Sequence, residues 1–243
     1  MKATWHVRYN DELHVRSVGL DMVRNDENLT GECMMNGMAS DDYDETADIV
    51  FGGDISLDIG AANYDAAMRE NDPGERARLF QQAARWYERS ANIGNAQAAT
   101  NLGYVYLYGR IGSVDDAKAF HWFTIGAQMD NPESCYKLGD LYRSGRGCAR
   151  DPKKAVELYC RAGYFADNEC DPDNPQGAAV LASIELRLAE CCERGEGCHE
   201  NRKLAHEYYR HAVDRFEVAL SGGLNWYGKA LESARAGYTR TNG

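Results

Sequence analysis

The stretch "LGDLYRSGRGCARDPKKAVELY" at residues 138–159 has two close counterparts elsewhere in the chain. Residues 102–123 read "LGYVYLYGRIGSVDDAKAFHWF", and residues 188–209 read "LAECCERGEGCHENRKLAHEYY". In each copy a leucine with a small neighbour is followed by a loop that contains glycine and then by a second apolar segment. Copies that recur after 36 and 50 residues are typical of a repeat protein.

The second apolar segment has the spacing of a helix, which we call helix B. A small residue opens it, large residues follow three and four positions later, and another small residue comes at position seven. This spacing places all four on one helix face. The opening residues are Ala83, Ala119, Ala155 and Ala205. The earlier segment, helix A, carries Leu102-Gly103, Leu138-Gly139 and Leu188-Ala189, whose small residues leave room for a neighbouring helix.

The residues that flank these segments agree with helix ends. Helix A is predicted to end at a glycine, because glycine favours the left-handed cap; the three are Gly109, Gly145 and Gly195. Helix B is predicted to begin after a good N-cap residue, at Asp115, Asp151 and Asn201. About five residues lie between the two helices, and residues 165–177 are interpreted as an inserted loop.

The predicted fold is all-α, a right-handed α/α superhelix in which stacked helix pairs share one core. Four helix–loop–helix repeats are expected at residues 60–96, 97–131, 132–176 and 177–217. Residues 1–59 are expected to form an acidic extension with a short hairpin and a flexible linker, and residues 218–243 a capping helix and tail.

The third copy resembles the Sel-one-like repeat, a relative of the tetratricopeptide repeat. The resemblance covers about residues 60–217 and is carried by Leu138-Gly139, Tyr142, Gly145-Arg146-Gly147, Asp151, Lys154-Ala155 and Leu158-Tyr159. It implies a solenoid that serves as an adaptor or scaffold for protein complexes, without catalysis and without a cofactor. A secreted, cysteine-rich branch of the family staples each unit with a disulfide, but Ala127, Gly163 and Val213 occupy the staple positions here.

Charge and hydropathy narrow the classes of partner. The net charge is −11, and residues 1–60 hold 13 Asp and Glu against 4 Lys and Arg. An acidic chain without a basic stripe argues against nucleic acid and anionic membrane surfaces. No transmembrane helix or signal peptide is predicted, so we expect a cytoplasmic protein with reduced thiols. The expected partner is a protein or peptide; the sequence leaves the oligomeric state open.

Helix A offers the candidate binding residues. If Gly103 and Gly139 pack against helix B, the side of helix A that faces away from helix B should line the concave surface of the superhelix. The candidates on that side are Thr100, Tyr104, Tyr108, Tyr136, Asp140, Arg143 and Glu190. Tyrosine and arginine are frequent at binding hot spots. The alternatives are that these residues form ordinary solvated surface or that the tyrosines pack against a neighbouring repeat.

Two further hypotheses concern other segments. Cys191, Cys192 and Cys198 could form a thiol redox or metal-responsive site, although their spacing matches no common zinc motif and the first two replace core residues of the third copy. The acidic and apolar segment at residues 41–60 could act as an internal ligand for Lys137, Arg143 and Arg146.

Overall fold

The computed structural model of the chain describes residues 4–10, 15–21 and 45–242. These fall into two compact units, one up to Val114 and one from Asp115 onward. In the first, strand β1 (Thr4–Asn10) pairs in antiparallel fashion with strand β2 (Val15–Asp21). The pair lies where the sequence permits a hairpin.

The first unit continues with four helices: α1 (Glu45–Val50), α2 (Asp54–Arg69), α3 (Pro73–Ile93) and α4 (Ala96–Leu107). α2 and α3 are helices A and B of the first repeat, and α4 packs on α3 as helix A of the second. The Tyr87 ring fills the space beside Gly60, where a Cβ atom would lie only 2.7 Å from the ring. A small residue on helix A of the first repeat therefore accommodates a ring from helix B, although the sequence pattern marks such a residue only in the later repeats.

The internal-ligand hypothesis for residues 41–60 is wrong for the part that is described, residues 45–60. Helix α1 and the first turns of α2 belong to the folded unit rather than to a free segment. The buried Asp48 carboxylate accepts hydrogen bonds from the Ser56 amide, at 3.0 Å, and from the Ser56 hydroxyl. Because these bonds fix the junction between α1 and α2, the segment is structural. Residues 41–44 lie outside the described residues.

The second unit holds six helices in residues 115–242. They are α5 (Asp116–Gln128), α6 (Pro132–Ser144), α7 (Pro152–Glu169), α8 (Pro175–Arg194), α9 (Arg202–Ser221) and, after a short 3-10 turn at Asn225–Tyr227, α10 (Gly228–Thr241). α6 packs with α7 and α8 packs with α9 as A and B pairs, and α10 packs on α9. Gly237 of α10 lies directly beside the Tyr209 ring of α9.

The predicted helix ends are confirmed at the N-termini of the B helices. The side chains of Asp115, Asp151 and Asn201 each accept a hydrogen bond of 3.0 Å from the amide three residues later. Gly145 and Gly195 cap α6 and α8 with φ of 73° and 63°. The loop in the third repeat runs from Gly145 to Asp151, longer than the predicted five residues, because both cap residues belong to it.

The interpretation of residues 165–177 as an inserted loop is wrong. α7 continues to Glu169, and α8 begins at Pro175 after its N-cap Asn174. The additional residues lengthen the two helices to 18 and 20 residues, compared with 13 in α5 and α6. The helix continues because the first proline after Tyr164 comes only at position 172.

The second glycine of each A–B loop fixes the contact with the preceding repeat. Gly147 and Gly197 have φ of 70° and 80°, and a Cβ atom on either would overlap backbone. The overlapped atoms belong to the first turn of the preceding helix B, at Asp116 for Gly147 and at Pro152 for Gly197. In the second repeat the glycine is displaced by one position, and a Cβ atom on Gly112 would contact nothing within 4 Å.

Candidate partner-binding surface

Three of the predicted surface residues are buried, so that part of the prediction is wrong. Thr100 and Tyr104 have no exposed surface, and Tyr136 is 1% exposed. The physical reason is the number of neighbours around helix A. For example, α6 packs against both α5 and α7, which leaves only a narrow strip of its circumference open. Tyr108, by contrast, is 39% exposed, and its ring stacks on that of Tyr104.

Three other predicted residues, Asp140, Arg143 and Glu190, form ion pairs within the second unit. Asp140 on α6 is bound by Arg187 on α8, through Nε to Oδ1 at 2.6 Å and Nη2 to Oδ2 at 2.6 Å. The Tyr159 hydroxyl of α7 donates a third hydrogen bond to Asp140 Oδ1, at 2.8 Å. Asp140 is therefore held by side chains from two other helices.

Arg143 lies three residues after Asp140 on α6. Its Nη1 lies 2.7 Å from Glu190 Oε2, and its Nε lies 2.9 Å from Glu196 Oε2. Arg150 forms the last of these ion pairs, and its Nη2 lies 2.6 Å from Glu196 Oε1. Together with Lys137, Asp140 and Arg187, these residues form what we call the charged cluster: Lys137, Asp140, Arg143, Arg150, Arg187, Glu190 and Glu196.

The buried Tyr136 ring supports the basic end of the charged cluster. The Arg187 guanidinium carbon lies 4.7 Å from the ring centroid, and the Lys137 Nζ lies 5.1 Å from it. Cations at such distances are attracted by the ring face. Tyr136 thus positions two cations rather than contacting a partner itself.

The pKa values of the charged cluster follow from its geometry. Burial lowers the pKa of Lys137 to about 8, and the nearby Arg187 charge adds to this effect. Burial opposes ionisation of Asp140, but Arg187 and Tyr159 hold its pKa below the usual value. Burial likewise disfavours the Arg143 cation, yet Glu190 and Glu196 raise its pKa. The cluster therefore keeps its ion pairs at neutral pH. Lys137 is the member that loses its charge most readily as the pH rises.

Arg187 and Lys137 were missing from the predicted binding residues. A signal for them exists in the sequence, since each immediately precedes the leucine of helix A in its copy, at Leu138 and Leu188. Two basic residues at the same repeat position indicate a shared surface strip. No comparable pattern marks Glu196, which lies in a loop.

The three cysteines of the thiol hypothesis have a different environment. Cys191 and Cys192 are buried, and Cys198 is partly exposed. Burial raises the pKa of Cys191 to about 11 and that of Cys192 to about 12, with Cys198 contributing to the latter. Thiols with raised pKa values are poor nucleophiles at neutral pH because the thiolate is the reactive form. This environment fits core packing.

Among the described residues, no helix has both the length and the apolar content needed to span a membrane.

A scan against protein-family models matches the Sel1 repeat at residues 61–95, 96–131, 132–164 and 185–215. Among solved structures, a Sel1 repeat protein from Oxalobacter formigenes is 21% identical; the match covers 54% of this chain and 89% of that protein, with a TM-score of 0.45. A protective antigen of uropathogenic Escherichia coli with an SLR fold is 25% identical over 75% of this chain and 45% of the antigen, with a TM-score of 0.36. No curated protein matches.

Proposed function

The chain belongs to the Sel1 repeat family, and on this basis we propose that it is a non-catalytic adaptor that binds a protein or peptide. Repeats of this family generally mediate protein–protein interactions. The proposal includes a cytoplasmic location and no cofactor. Within the second unit, we assign binding to the charged cluster on α6 and α8.

The observation that carries this assignment is that the cluster is both ordered and accessible. The side chains of Arg143 and Glu190 are 17% and 27% exposed, and those of Arg187 and Asp140 are 21% and 31% exposed. Their ion pairs fix the side chains before a partner arrives. Because binding then immobilises fewer rotamers, less entropy is lost on association.

The alternating signs of the cluster also define what it can recognise. Asp140 and Arg143 of α6 pair with Arg187 and Glu190 of α8, so each helix carries one charge of each sign, three residues apart. A partner segment with the complementary alternation makes charge-assisted hydrogen bonds, whereas a segment with one sign of charge meets repulsion at every second position. The expected ligand is therefore a polar segment of mixed charge.

The test is a pull-down from native cell extract, read by mass spectrometry, that compares wild type with an Arg143→Gln/Glu190→Gln double variant. This double change removes both members of one ion pair, and Glu196, the second partner of Arg143, keeps its ion pair with Arg150. Lys154→Gln, on the exposed side of helix α7, is the matched control. Circular dichroism and urea unfolding establish that each protein is folded.

We expect a protein that wild type and Lys154→Gln recover equally and that the double variant loses by about tenfold or more. Equal recovery by all three proteins would mean that the binding surface lies outside the charged cluster. If no protein is specifically recovered by wild type, the adaptor proposal itself fails.

A further inference from the structure

Arg110, in the first unit, differs from the arginine at the same position of the next repeat. Arg110 and Arg146 are 36 residues apart, and each follows the glycine that ends helix A. Arg146 is neutralised by Asp116, with Nε 3.1 Å from Oδ2 and Nη2 2.6 Å from Oδ1. The residue 36 positions before Asp116 is Phe80, so the equivalent carboxylate is missing for Arg110.

The Arg110 side chain lies among aromatic rings instead. Its guanidinium carbon is 5.6 Å from the Phe80 centroid and 5.8 Å from the Tyr108 centroid. The backbone holds it there, because Gly109 has φ of 64° and the Arg110 amide donates to the Val105 carbonyl at 2.9 Å. The position of the cation is thus determined by the helix cap rather than by an ion pair.

Two polar atoms at this place are poorly satisfied. The Nε of Arg110 and the hydroxyl of Tyr64 are both buried, and neither makes a hydrogen bond of good geometry among the described residues, although Arg110 lies close enough to Tyr64 to interact with its hydroxyl. Phe80 packs edge-on against the Tyr64 ring, at 5.1 Å between centroids. Burial raises the pKa of Tyr64, while the positive charge of Arg110 acts in the opposite direction. A guanidinium that is buried on its Nε side and has no counter-charge costs free energy, unless an anion can reach its remaining N–H groups.

The Arg110 side chain is not wholly enclosed: the residue is half-buried and lies beside the exposed Tyr108 ring. Two parallel N–H groups fit the two oxygens of a carboxylate, and an exposed tyrosine ring offers apolar area next to them. The Arg146–Asp116 pair demonstrates that an arginine at this loop position can bind a carboxylate within this fold.

We propose that Arg110 is a binding site for a carboxylate of the partner protein, with Tyr108 as the ring against which the partner packs. In the third repeat this carboxylate is supplied by the chain itself; in the second it comes from outside. The site rests on the proposed function only in taking a protein as the source of the carboxylate.

The test uses the side-chain Nε–Hε signal of Arg110 in the ¹⁵N–¹H spectrum of the full chain, assigned by its loss in Arg110→Lys. The probe is a short acetylated and amidated peptide with a single glutamate. One carboxylate is used because the net charge of −11 repels a polyanion. A second peptide replaces glutamate by glutamine, and a third is the glutamine peptide with a free C-terminal carboxylate.

We expect a saturable shift of the Arg110 signal with the glutamate peptide and none with the amidated glutamine peptide. Arg110→Gln should weaken binding of the glutamate peptide by about tenfold or more. A response confined to the third peptide would support a carboxylate site and identify the chain terminus of the partner as its source. An unmoved Arg110 signal, or an Arg110→Gln variant that binds as wild type does, overturns the proposal.

Arg78→Gln is the control for diffuse attraction, since it removes an equal charge from the exposed surface of α3, where Arg78 pairs with Glu75. Equal loss of affinity in both variants would also overturn the site. The titration is independent of the pull-down: a failed titration leaves the adaptor proposal standing, and a failed pull-down with a positive titration removes only that proposal.

Discussion

The Arg187 guanidinium on α8 and the Asp140 carboxylate on α6 form a bidentate ion pair with two nitrogen–oxygen distances of 2.6 Å. The pair joins the A helices of the third and fourth repeats directly. Arg187 Nη1 also donates to the Ser183 carbonyl at 2.7 Å, so the guanidinium is fixed at both ends. The contact between two repeats therefore includes a polar component as well as the apolar core.

Asp140→Asn is expected to lower the free energy of unfolding by about 2 kcal/mol, because it leaves Arg187 partly buried without its counter-charge; fully buried pairs lose more. Urea unfolding followed by circular dichroism measures this change. Glu75→Gln, which removes one partner of the exposed pair with Arg78, should leave the free energy of unfolding essentially unchanged, because solvent screens that pair. Equal effects of the two substitutions would contradict the structural role of the Asp140–Arg187 pair.

Gly139→Ala is expected to destabilise the second unit by about 1–3 kcal/mol. A Cβ atom at this position would lie 2.6 Å from Tyr159 Cε1, so the ring or the helix must move. Gly163→Ala is a matched control in a helix interior, since its Cβ would meet only Ile184, at 3.8 Å. Because alanine is the better helix former, Gly163→Ala should stabilise by about 0.5–1 kcal/mol. Thermal unfolding of the two variants tests the predicted loss of stability in the first and the predicted gain in the second. A stabilised Gly139→Ala would contradict the packing described.

Stability should decrease as the pH rises from about 4 to about 7, through the carboxyl groups of Asp58 and Glu185. Burial raises the pKa of Asp58 from 3.8 to about 7, with the Asp54 charge adding to the effect, and burial raises the pKa of Glu185 from 4.5 to about 7 against the influence of Arg215. Across this range the unfolded chain has released these protons while the folded chain still binds them, so ionisation favours unfolding.

Asp58→Asn should remove part of this pH dependence. The variant is expected to match wild type near pH 3.5 and to be more stable than wild type at pH 8, where the wild-type carboxylate is charged in a buried position. Urea midpoints measured at both pH values test this. The control is Glu157→Gln, at an exposed position on α7, which should leave the difference between the two midpoints unchanged. Parallel behaviour of Asp58→Asn and wild type would refute the assignment.

Thiol labelling distinguishes core packing from a redox role for the cysteines. In the native protein a thiol reagent should label the exposed Cys160 before the buried Cys135, Cys191 and Cys192, which should react only after unfolding in urea. Mass spectrometry of the labelled peptides identifies each site, and Cys160→Ser should remove one fast-reacting thiol. Rapid labelling of Cys191 or Cys192 in the folded protein would revive the redox hypothesis.

Sequence periodicity was sufficient for the helix pairs and their caps, because both depend on local spacing and on one or two residue types. Asp151 and Gly145 show this: a capping carboxylate and a left-handed glycine are recognisable without knowledge of the rest of the fold. The hairpin-like spacing near Trp5 also coincides with a strand pair. The polar composition of residues 165–177 predicts a loop, but α7 continues to Glu169 because no proline precedes position 172 in this segment.

The candidate binding residues were harder to predict because exposure depends on neighbours far away in the sequence. Tyr104 and Tyr136 were placed correctly on helix A, but the helices of adjacent repeats cover them. Asp140 and Arg143 remained near the surface, and their partners came from α8 and its loop. Arg110 was not singled out at all. Its unusual state becomes visible only when the repeats are aligned and Phe80 is found where the next repeat has Asp116.

The seating of Gly147 and Gly197 on the preceding helix B has a consequence for how such a chain evolves. In the third and fourth repeats, the A–B loop and the first turn of the previous helix B form the two halves of one joint. A duplication or deletion of one complete repeat preserves every joint, whereas a change by half a repeat places a loop against a helix turn that lacks the matching shape. Arrays of this kind can therefore lengthen and shorten in whole-repeat steps, and each new copy is free to alter its outward-facing residues, as Arg110 and Arg146 illustrate.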